Sequence, residues 1–313
     1  GFSSLTNWAS KRGNALTRPL MEGVLGVHRD AALPKFESKR FSAASQAKPP
    51  SINTDAPAYG RKAVIFATCF AEYNNADIGH TARAVLAIKG VETEIAYPTC
   101  CGMPQLEHGD LASGAAKAEK AAAEMKSWID KGYDVIAPIP SCALMLKFEW
   151  PLILPDDANV KRLSEATFDV TEYIVDIAKK DGLAEGLNKL EGKVALHLAC
   201  HARAQNMGPK AAEMLRLIPD AEVEVIERCS GHGGSWGVLK DNFDVAIKVG
   251  RPAARKALES DAKYVVSECP LARDHMMQGI EKLDEQNARD NIQAVQHPIQ
   301  ILAQAYGLSG EKS

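Results

Sequence analysis

Short apolar runs alternate with amphipathic stretches along most of the chain from Arg61 onward. The run KAVIFATC is rich in β-branched residues and bounded by polar sequence, which predicts a buried parallel strand. IGHTARAVLAIKG predicts a helix that stops at a glycine, and VETEIAYPTC alternates like a second strand. The alanine-rich amphipathic helix LASGAAKAEKAAAEMKSWIDKG and a third strand, YDVIAPIPSC, follow. The first half therefore has the order β-α-β-α-β.

The same order returns in the second half of the chain. KVALHLAC, AEVEVIERC and AKYVVSEC predict three further strands. PKAAEMLRLIP predicts a helix with Pro209 near its start, and NFDVAIKVGRPAARKALES predicts a helix interrupted near Pro252. Alternating strands and helices call for parallel sheets covered by helices. The pattern predicts an α/β fold with two repeated lobes related by a pseudo-two-fold axis.

The first 60 residues have a different pattern. SLTNWASKRG, TRPLMEGVLGV and LPKFESKRF are short helical candidates without a strand, and SAASQAKPPSINTDAPAYG is typical of a linker or of an arm lying on another surface. We expect a helical extension and linker over residues 1–60, a first repeat over 61–155 and a helical connector, with DVTEYIVDIAKK, over 156–190. A second repeat is expected over 191–285 and a C-terminal segment over 286–313.

Composition narrows the possible classes of protein. The 313 residues are 46% hydrophobic, which is enough for a substantial core, and the net charge of -3 predicts no nucleic-acid partner. No apolar run approaches the ~20 residues that span a bilayer, and no signal-peptide pattern is present, so we expect a cytoplasmic protein. The chain begins GFSSLTNW without Met, which suggests a fragment or a processed N-terminus.

Three cysteines recur in register between the two repeats. The separation is 131 residues from Cys69 to Cys200, 129 from Cys100 to Cys229 and 127 from Cys142 to Cys269. All six positions follow a predicted strand, and ligands of open parallel sheets bind at the carboxyl ends of strands. A single cysteine is often a buried core residue, but strand ends face loops rather than core. The register therefore predicts a thiol site in each repeat.

Thiolates select iron–sulfur clusters, zinc or copper. The first repeat offers a complete ligand set for a [4Fe-4S] cluster, namely Cys69, Cys100, Cys101 and Cys142. The second repeat offers three thiols, Cys200, Cys229 and Cys269, because Ser230 stands where a second adjacent cysteine would be. His201 and His232 are the candidate fourth ligands there. The second site would hold another cluster or zinc.

Two alternatives to a cluster follow from the same residues. Zinc would accept four thiolates in the first repeat and three thiolates with a histidine in the second, making the chain a structural or interaction protein. The adjacent pair Cys100–Cys101 argues against this, because structural zinc sites usually separate paired cysteines by two to four residues. A metal-free Cys100–Cys101 disulfide would close a strained ring and would leave Ser230 unexplained.

At these residues the sequence resembles the cysteine-rich CCG family. This family includes the B and D subunits of heterodisulfide reductase, the C subunit of anaerobic glycerol-3-phosphate dehydrogenase, and iron–sulfur subunits of glycolate and lactate oxidation systems. ATCF, TCCGMP and PSCALML fit the first copy of its motif, and LACHARAQNMGP, RCSGHGGSWGV and SECPLARDH fit the second. The resemblance extends from about Arg61 to Lys282, and the second copy is most similar to the glycerol-3-phosphate dehydrogenase branch.

The resemblance implies an electron-transfer subunit of an oxidoreductase. It implies a flavin dehydrogenase partner, a ferredoxin domain missing from this fragment, and a quinone, thiol/disulfide or other acceptor, with peripheral binding at the inner face of the cell membrane. The chain departs from the family where Met145 and Ala272 replace the last cysteine of each CxxC. The non-cubane clusters of heterodisulfide reductase use full five-cysteine sets, so that cluster type is not carried over to this sequence.

Overall fold

A computed structural model describes residues 2–283 and 288–308. Its α-helices are α1 (Phe2–Ser10), α2 (Thr17–Leu25), α3 (Phe41–Ala47), α4 (Cys69–Tyr73), α5 (Ala76–Ile88), α6 (Met103–Glu107), α7 (Leu111–Ile129), α8 (Pro140–Leu144), α9 (Trp150–Ile153), α10 (Ala158–Ala166), α11 (Val170–Lys180), α12 (Cys200–Arg203), α13 (Lys210–Leu215), α14 (Phe243–Glu259), α15 (Pro270–Leu283) and α16 (Pro298–Ala305). A π-helical turn covers Met145–Glu149, and 3-10 turns cover Trp236–Val238 and Ala288–Asn291.

The strands are β1 (Lys62–Phe66), β2 (Glu92–Ala96), β3 (Asp134–Ala137), β4 (Thr167–Asp169), β5 (Val194–His197), β6 (Val223–Ile226) and β7 (Tyr264–Ser267). They form two sheets in two compact units. The four-stranded unit comprises Lys39–Leu190, His201–Asp220 and Pro298–Ser313, and the three-stranded unit comprises Gly1–Ser38, Glu191–Cys200 and Ala221–His297.

The sheet of the four-stranded unit is parallel throughout, with the order β2-β1-β3-β4. Val64 of the central strand β1 pairs with Glu94 of β2 on one side and Val135 of β3 on the other. Both faces of the central strand β1 are covered, so nearly all of its side chains are buried. This burial explains why the sequence of β1 is almost continuously apolar. Helix α7 adds Ala118, Ala121 and other small residues to this core.

The three-stranded unit repeats the arrangement with a parallel sheet in the order β6-β5-β7. Leu196 of the central strand β5 pairs with Val225 of β6 and Val266 of β7. In both sheets the first strand of the repeat is central and the other two flank it. The prediction of an α/β fold with two parallel β-α-β-α-β sheets and a helical N-terminal part is confirmed. This topology aligns the carboxyl ends of three cysteine-bearing strands in each unit.

Local differences from the predicted elements have physical causes. Helix α14 runs through Pro252 without the predicted interruption, since Pro252 and Lys248 are exposed and water can solvate the carbonyl freed by the missing N–H. LPKFESKRF forms no helix before Phe41. Within the predicted linker, α3 forms because Phe41 at its start is fully buried. The Phe41 ring packs so closely on Gly79 of α5 that a Cβ at Gly79 would lie 2.7 Å from it.

The predicted segments divide the chain by sequence repeat, whereas the two compact units are defined by packing. The units therefore do not test the predicted segment boundaries, which stay a prediction. Residues 284–287 and 309–313 of the predicted second repeat and C-terminal segment lie outside the described residues. Among the described helices, none is both long enough and apolar enough to cross a bilayer.

Candidate functional site

The four thiols of the first repeat meet at the carboxyl edge of the four-stranded sheet. Cys69 begins α4 just after β1, Cys100 and Cys101 follow β2, and Cys142 lies in α8 after β3. The Sγ atoms of Cys69 and Cys100 are 3.9 Å apart, and those of Cys101 and Cys142 are 3.1 Å apart. Because Cys100 and Cys101 are adjacent, the two sulfur pairs form one cluster of four thiols.

Local packing fixes these loops. The Thr68 hydroxyl caps α4 by accepting the Ala71 N–H at 3.0 Å, which sets the direction of the chain at Cys69. The buried Trp150 indole donates to the Cys101 carbonyl at 3.0 Å. Gly102 has φ +82°, a backbone conformation that favours glycine, so the chain turns into α6 directly after the cysteine pair. Cys101 and Cys142 are buried, whereas Cys69 and Cys100 are half-buried.

The thiols of the first repeat do not have equal acidity. Hydrogen bonds with the Cys101 and Cys69 thiols hold the pKa of Cys100 well below its usual range, and the Gly102 N–H and the Lys117 charge act in the same direction. The hydrogen bond to Cys100 raises the pKa of Cys69, and burial raises it further. Cys101 also has a raised pKa, from hydrogen bonds to Cys100 and Cys142 and from burial. Of these thiols, Cys100 is the one whose pKa is lowered.

The thiols of the second repeat lie at the carboxyl edge of the three-stranded sheet. Cys200 follows β5 and is exposed, Cys229 follows β6 and is exposed, and Cys269 follows β7 and is half-buried. Burial raises the pKa of Cys269 to about 11, and the electrostatic influence of the nearby Cys200 adds to the rise. The Gly231 N–H donates to the Cys229 sulfur at 3.3 Å. The structure thus brings Cys200 to Cys269, and gives Cys229 a backbone donor.

The glycine-rich loop after Cys229 packs directly on α14. A Cβ at Gly231, which has φ +80°, would lie 2.1 Å from the Ala246 carbonyl oxygen. A Cβ at Gly250 would lie 2.1 Å from the Ser230 carbonyl oxygen. The loop and the helix therefore approach at backbone distance, which only glycine permits at these positions. Ser230 is buried in this contact, and its Oγ lies 3.5 Å from the His232 backbone nitrogen.

The two histidines predicted as candidate ligands have different surroundings. His201 belongs to the four-stranded unit, although Cys200 before it belongs to the three-stranded unit. Burial lowers the pKa of His201, while the charges of Glu107 and Glu149 oppose this. His232 packs edge-to-face on His275 at 5.9 Å between ring centroids, and burial lowers its pKa to about 4. Metal ligation by either histidine stays a prediction.

Sequence reasoning missed a buried polar network beneath the second set of thiols. His197, the last residue of β5, bonds through Nδ1 to Ser267 Oγ and through Nε2 to the Arg228 carbonyl, both at 2.9 Å. Ser267 Oγ also accepts the Cys269 N–H at 3.2 Å. His197 therefore links the loops that carry Cys200, Cys229 and Cys269. The sequence signal that could have found this network is a polar residue near the end of each apolar strand, namely His197 in KVALHLAC and Ser267 in AKYVVSEC.

The donor set of the first repeat fits the group that the thiols would hold. Four thiols, of which Cys100 has a lowered pKa and a backbone N–H donor, suit an iron–sulfur cluster, whose irons each take a separate cysteine. Within residues 2–283 and 288–308, no three His, Cys, Asp or Glu side chains are arranged to hold one metal ion. Paired thiols with adjacent Cys100 and Cys101 suit a multi-iron group better than a single tetrahedral ion.

Comparison with known proteins gives relatives that include the following three. The chain is 26% identical over 291 residues to the C subunit of anaerobic glycerol-3-phosphate dehydrogenase of Escherichia coli K12, covering 92% of this chain and 69% of the relative. It is 30% identical over 189 residues to lactate utilization protein A of Geobacillus kaustophilus, covering 56% of this chain and 74% of the relative. The D subunit of dihydromethanophenazine:CoB–CoM heterodisulfide reductase of Methanosarcina acetivorans is 27% identical over 261 residues, covering 79% of this chain and 60% of the relative.

The model of the cysteine-rich CCG domain matches the chain twice, over residues 63–147 and 194–271. These two ranges include all seven cysteines and just over half of the chain. They contain the three strands of each sheet that precede the cysteines, together with the cysteine-bearing loops. The resemblance inferred from the motifs is confirmed, and the chain belongs to the CCG cysteine-rich domain family.

Proposed function

We propose that this chain is an iron–sulfur electron-transfer subunit of an oxidoreductase. Its first repeat would hold a [4Fe-4S] cluster on Cys69, Cys100, Cys101 and Cys142, which would relay single electrons. The observation that carries this proposal is the meeting of these four thiols, from three strand-end loops, at one edge of the parallel sheet. The three loops are far apart in sequence, and ligands of open parallel sheets bind at the strand ends that bring them together.

The surroundings of the first thiol set support electron relay over substrate chemistry. Cys101 and Cys142 lie in an apolar core cluster with Met103, Leu144 and Met145. An apolar shell limits water access and thereby helps to set the potential of a cluster. All four cysteines are used as ligands, so the first repeat has no open position for a substrate.

The second thiol set is proposed to complete the electron path. Cys200, Cys229 and Cys269 would hold a second cluster or zinc, with His232 or His201 as the candidate fourth ligand. Three thiolates leave one ligand position open, which suits a terminal relay. The exposed Cys200 and Cys229 support this role, since an electron acceptor or donor can approach an exposed site closely.

The relatives suggest the kind of complex in which the chain works. Two of them are named as subunits of a dehydrogenase and of a heterodisulfide reductase. We accordingly propose a redox partner subunit, with a flavin dehydrogenase as donor and a quinone or a thiol/disulfide as acceptor. Peripheral association with the inner face of the cell membrane belongs to the same proposal.

Anaerobic purification with iron and sulfide analysis and EPR tests the proposal. The wild-type chain is expected to contain iron and sulfide and to give cluster signals on reduction. Cys69→Ser should remove the signal of the first repeat and Cys200→Ser that of the second. The matched control is Ser141→Ala, which lies beside Cys142 in α8 but removes no thiol.

Each result has a definite meaning. A colourless protein that binds stoichiometric zinc and no sulfide would overturn the electron-transfer function and support a zinc-binding structural or interaction protein. Loss of the same signal in Cys69→Ser and Ser141→Ala would show that folding, rather than ligation, was affected.

A further inference from the structure

A basic groove of about 630 Å³ lies in the three-stranded unit, beside α14 and the end of β6. Its basic side chains are Arg228, Lys248, Arg251, Arg255 and Lys256. All five are exposed. Two acidic side chains, Glu224 and Glu259, also line the groove. The groove is therefore strongly positive, although the whole chain has a net charge of -3.

The positive charges of the groove are not neutralised by ion pairs. Among the residues that the structure describes, none of the groove's basic side chains forms a salt bridge, and Lys256 donates instead to the Val225 carbonyl at 3.1 Å. Glu224 is already paired with Lys193 at 3.1 Å. Many basic residues elsewhere in the chain do have acidic partners, as the ion pairs of Arg61, Lys147 and Lys179 show. The groove thus concentrates uncompensated positive charge.

The spacing of these residues places like charges next to one another on the helix. Lys248, Arg251 and Arg255 are separated by three and four residues, so they lie on one face of α14. Like charges at this spacing destabilise a helix. Packing does not require them, because all three are exposed. These charges are therefore free to meet an external ligand.

The groove is tied to the second thiol set. Arg228 directly precedes Cys229, and its carbonyl accepts the hydrogen bond from His197 Nε2 at 2.9 Å. This bond fixes the backbone of Arg228 to the network that links the cysteine-bearing strand ends. A molecule held by the Arg228 side chain would therefore lie next to the loop of Cys229.

We infer that this groove is a docking site for an acidic segment of a partner protein. From Lys248 to Lys256 a helix rises about 12 Å, which matches several carboxylates presented along a helix or loop. Such charge complementarity gives weak, fast and salt-sensitive association, as suits transient partners. A small anion is disfavoured because every basic side chain here is exposed, and a flat lipid surface is disfavoured because the site is concave.

This inference does not depend on a bound cluster. Should the proposed function fail, the binding of an acidic polypeptide can still be measured on the same chain. If both hold, the partner would be an electron-transfer protein placed beside the second thiol set.

A peptide-binding assay with charge-reversal variants tests the groove. Fluorescein-labelled dodecaglutamate is titrated with the full chain and followed by anisotropy at about 50 mM salt and again at about 200 mM salt. The double variant Arg251→Glu with Arg255→Glu should bind about tenfold more weakly than wild type at the lower salt concentration. Arg251→Gln with Arg255→Gln should lose affinity to a smaller extent, and circular dichroism checks that each variant is folded.

The matched control is Lys161→Glu with Arg216→Glu, which makes the same change in net charge at exposed positions outside the groove. It should bind the peptide within about twofold of wild type. Equal loss in both double variants would overturn the inference, because binding would then follow net charge alone. Displacement of the peptide by an equal concentration of tripolyphosphate would overturn it in favour of a small-anion site. Groove-dependent binding to phosphatidylserine vesicles, without binding to the peptide, would overturn it in favour of a lipid surface.

Discussion

At the scale of single residues, the charge of Lys117 distinguishes the first thiol set. Lys117 is half-buried on α7, and its charge contributes to the lowered pKa of Cys100. A Cβ at Gly102 would lie 3.5 Å from the Lys117 Cδ atom, so the lysine stem passes alongside the glycine that follows the cysteine pair. The ammonium group therefore adds positive charge beside the proposed cluster.

Replacing Lys117 by methionine should lower the reduction potential of the proposed first-repeat cluster, because a nearby cation stabilises the more negative, reduced state. At a fixed solution potential we expect the ratio of reduced to oxidised cluster to fall about tenfold, which is about 59 mV. An EPR-monitored redox titration measures this ratio. Lys117→Arg keeps the charge and should restore the wild-type potential; equal potentials in all three proteins would contradict the role.

Lys89 is a buried cation remote from the thiols in sequence. It is 1% exposed, its Nζ lies 3.2 Å from the Tyr306 hydroxyl, and burial lowers its pKa to about 8. In the unfolded chain a lysine has a pKa near 10.4. Between these values the unfolded state binds more protons than the folded state, so stability rises with pH.

The variant Lys89→Met should be more stable than wild type at and below pH 8, by up to about 3 kcal/mol less the lost Tyr306 hydrogen bond. The advantage should shrink as pH rises from about 8 to about 10.4, since folded wild-type Lys89 is then neutral. Urea unfolding at several pH values measures the difference in free energy. A difference that does not change with pH would contradict the lowered pKa.

At the scale of elements, both sheets use strand-end loops as thiol carriers, and each has its own means of holding them. In the four-stranded unit these are the Thr68 cap and the Trp150 bond to the Cys101 carbonyl. In the three-stranded unit they are the His197 network and the backbone contact of Gly231 with α14. These contacts orient cysteines from different strands toward one another.

Replacing His197 by alanine should loosen the second thiol set. It leaves the Ser267 hydroxyl and the Arg228 carbonyl without their His197 bonds, at a cost of about 2 to 4 kcal/mol in the free energy of unfolding. In protein without bound metal, alkylation of Cys269 should accelerate, while alkylation of Cys142 in the other unit should not change. Mass spectrometry measures both rates. Lower stability with unchanged Cys269 alkylation would limit His197 to a structural role.

At the scale of the whole molecule, each thiol set lies within a single compact unit. The first set lies within Lys39–Leu190, and the second lies on Glu191–Cys200 and Ala221–His297. A group bound by cysteines from three loops of one unit stabilises the folded state of that unit, because the unfolded chain cannot hold it.

Removal of the proposed cluster from the first repeat should lower the midpoint of thermal unfolding by at least about 4 °C. Protein loaded anaerobically is compared with protein treated with a chelator, by circular dichroism under argon. In Cys69→Ser, which lacks the first cluster, chelation should change the unfolding midpoint only by the amount that a group bound to the second thiol set contributes. An equal midpoint in loaded and stripped wild-type protein would contradict a cluster integrated into the core.

The sequence by itself determined the repeat, the parallel strands and the positions of the thiols. Period-two and period-3.6 patterns identified β1, α5, α7 and the strands of the second repeat, because burial on a sheet or a helix face leaves a local trace. The register of Cys69 with Cys200 was equally visible. The CCG motif was sufficient to identify the family.

Only the tertiary structure decided which groups meet. The short strand β4, the buried helix α3 and the passage of α14 through Pro252 depend on packing partners and solvent access that no local pattern encodes. The same is true of the approach of Lys117 to Cys100 and of the His197 network. These contacts join residues that are not neighbours along the chain, and they form only when the strands pair into sheets and the helices pack on them.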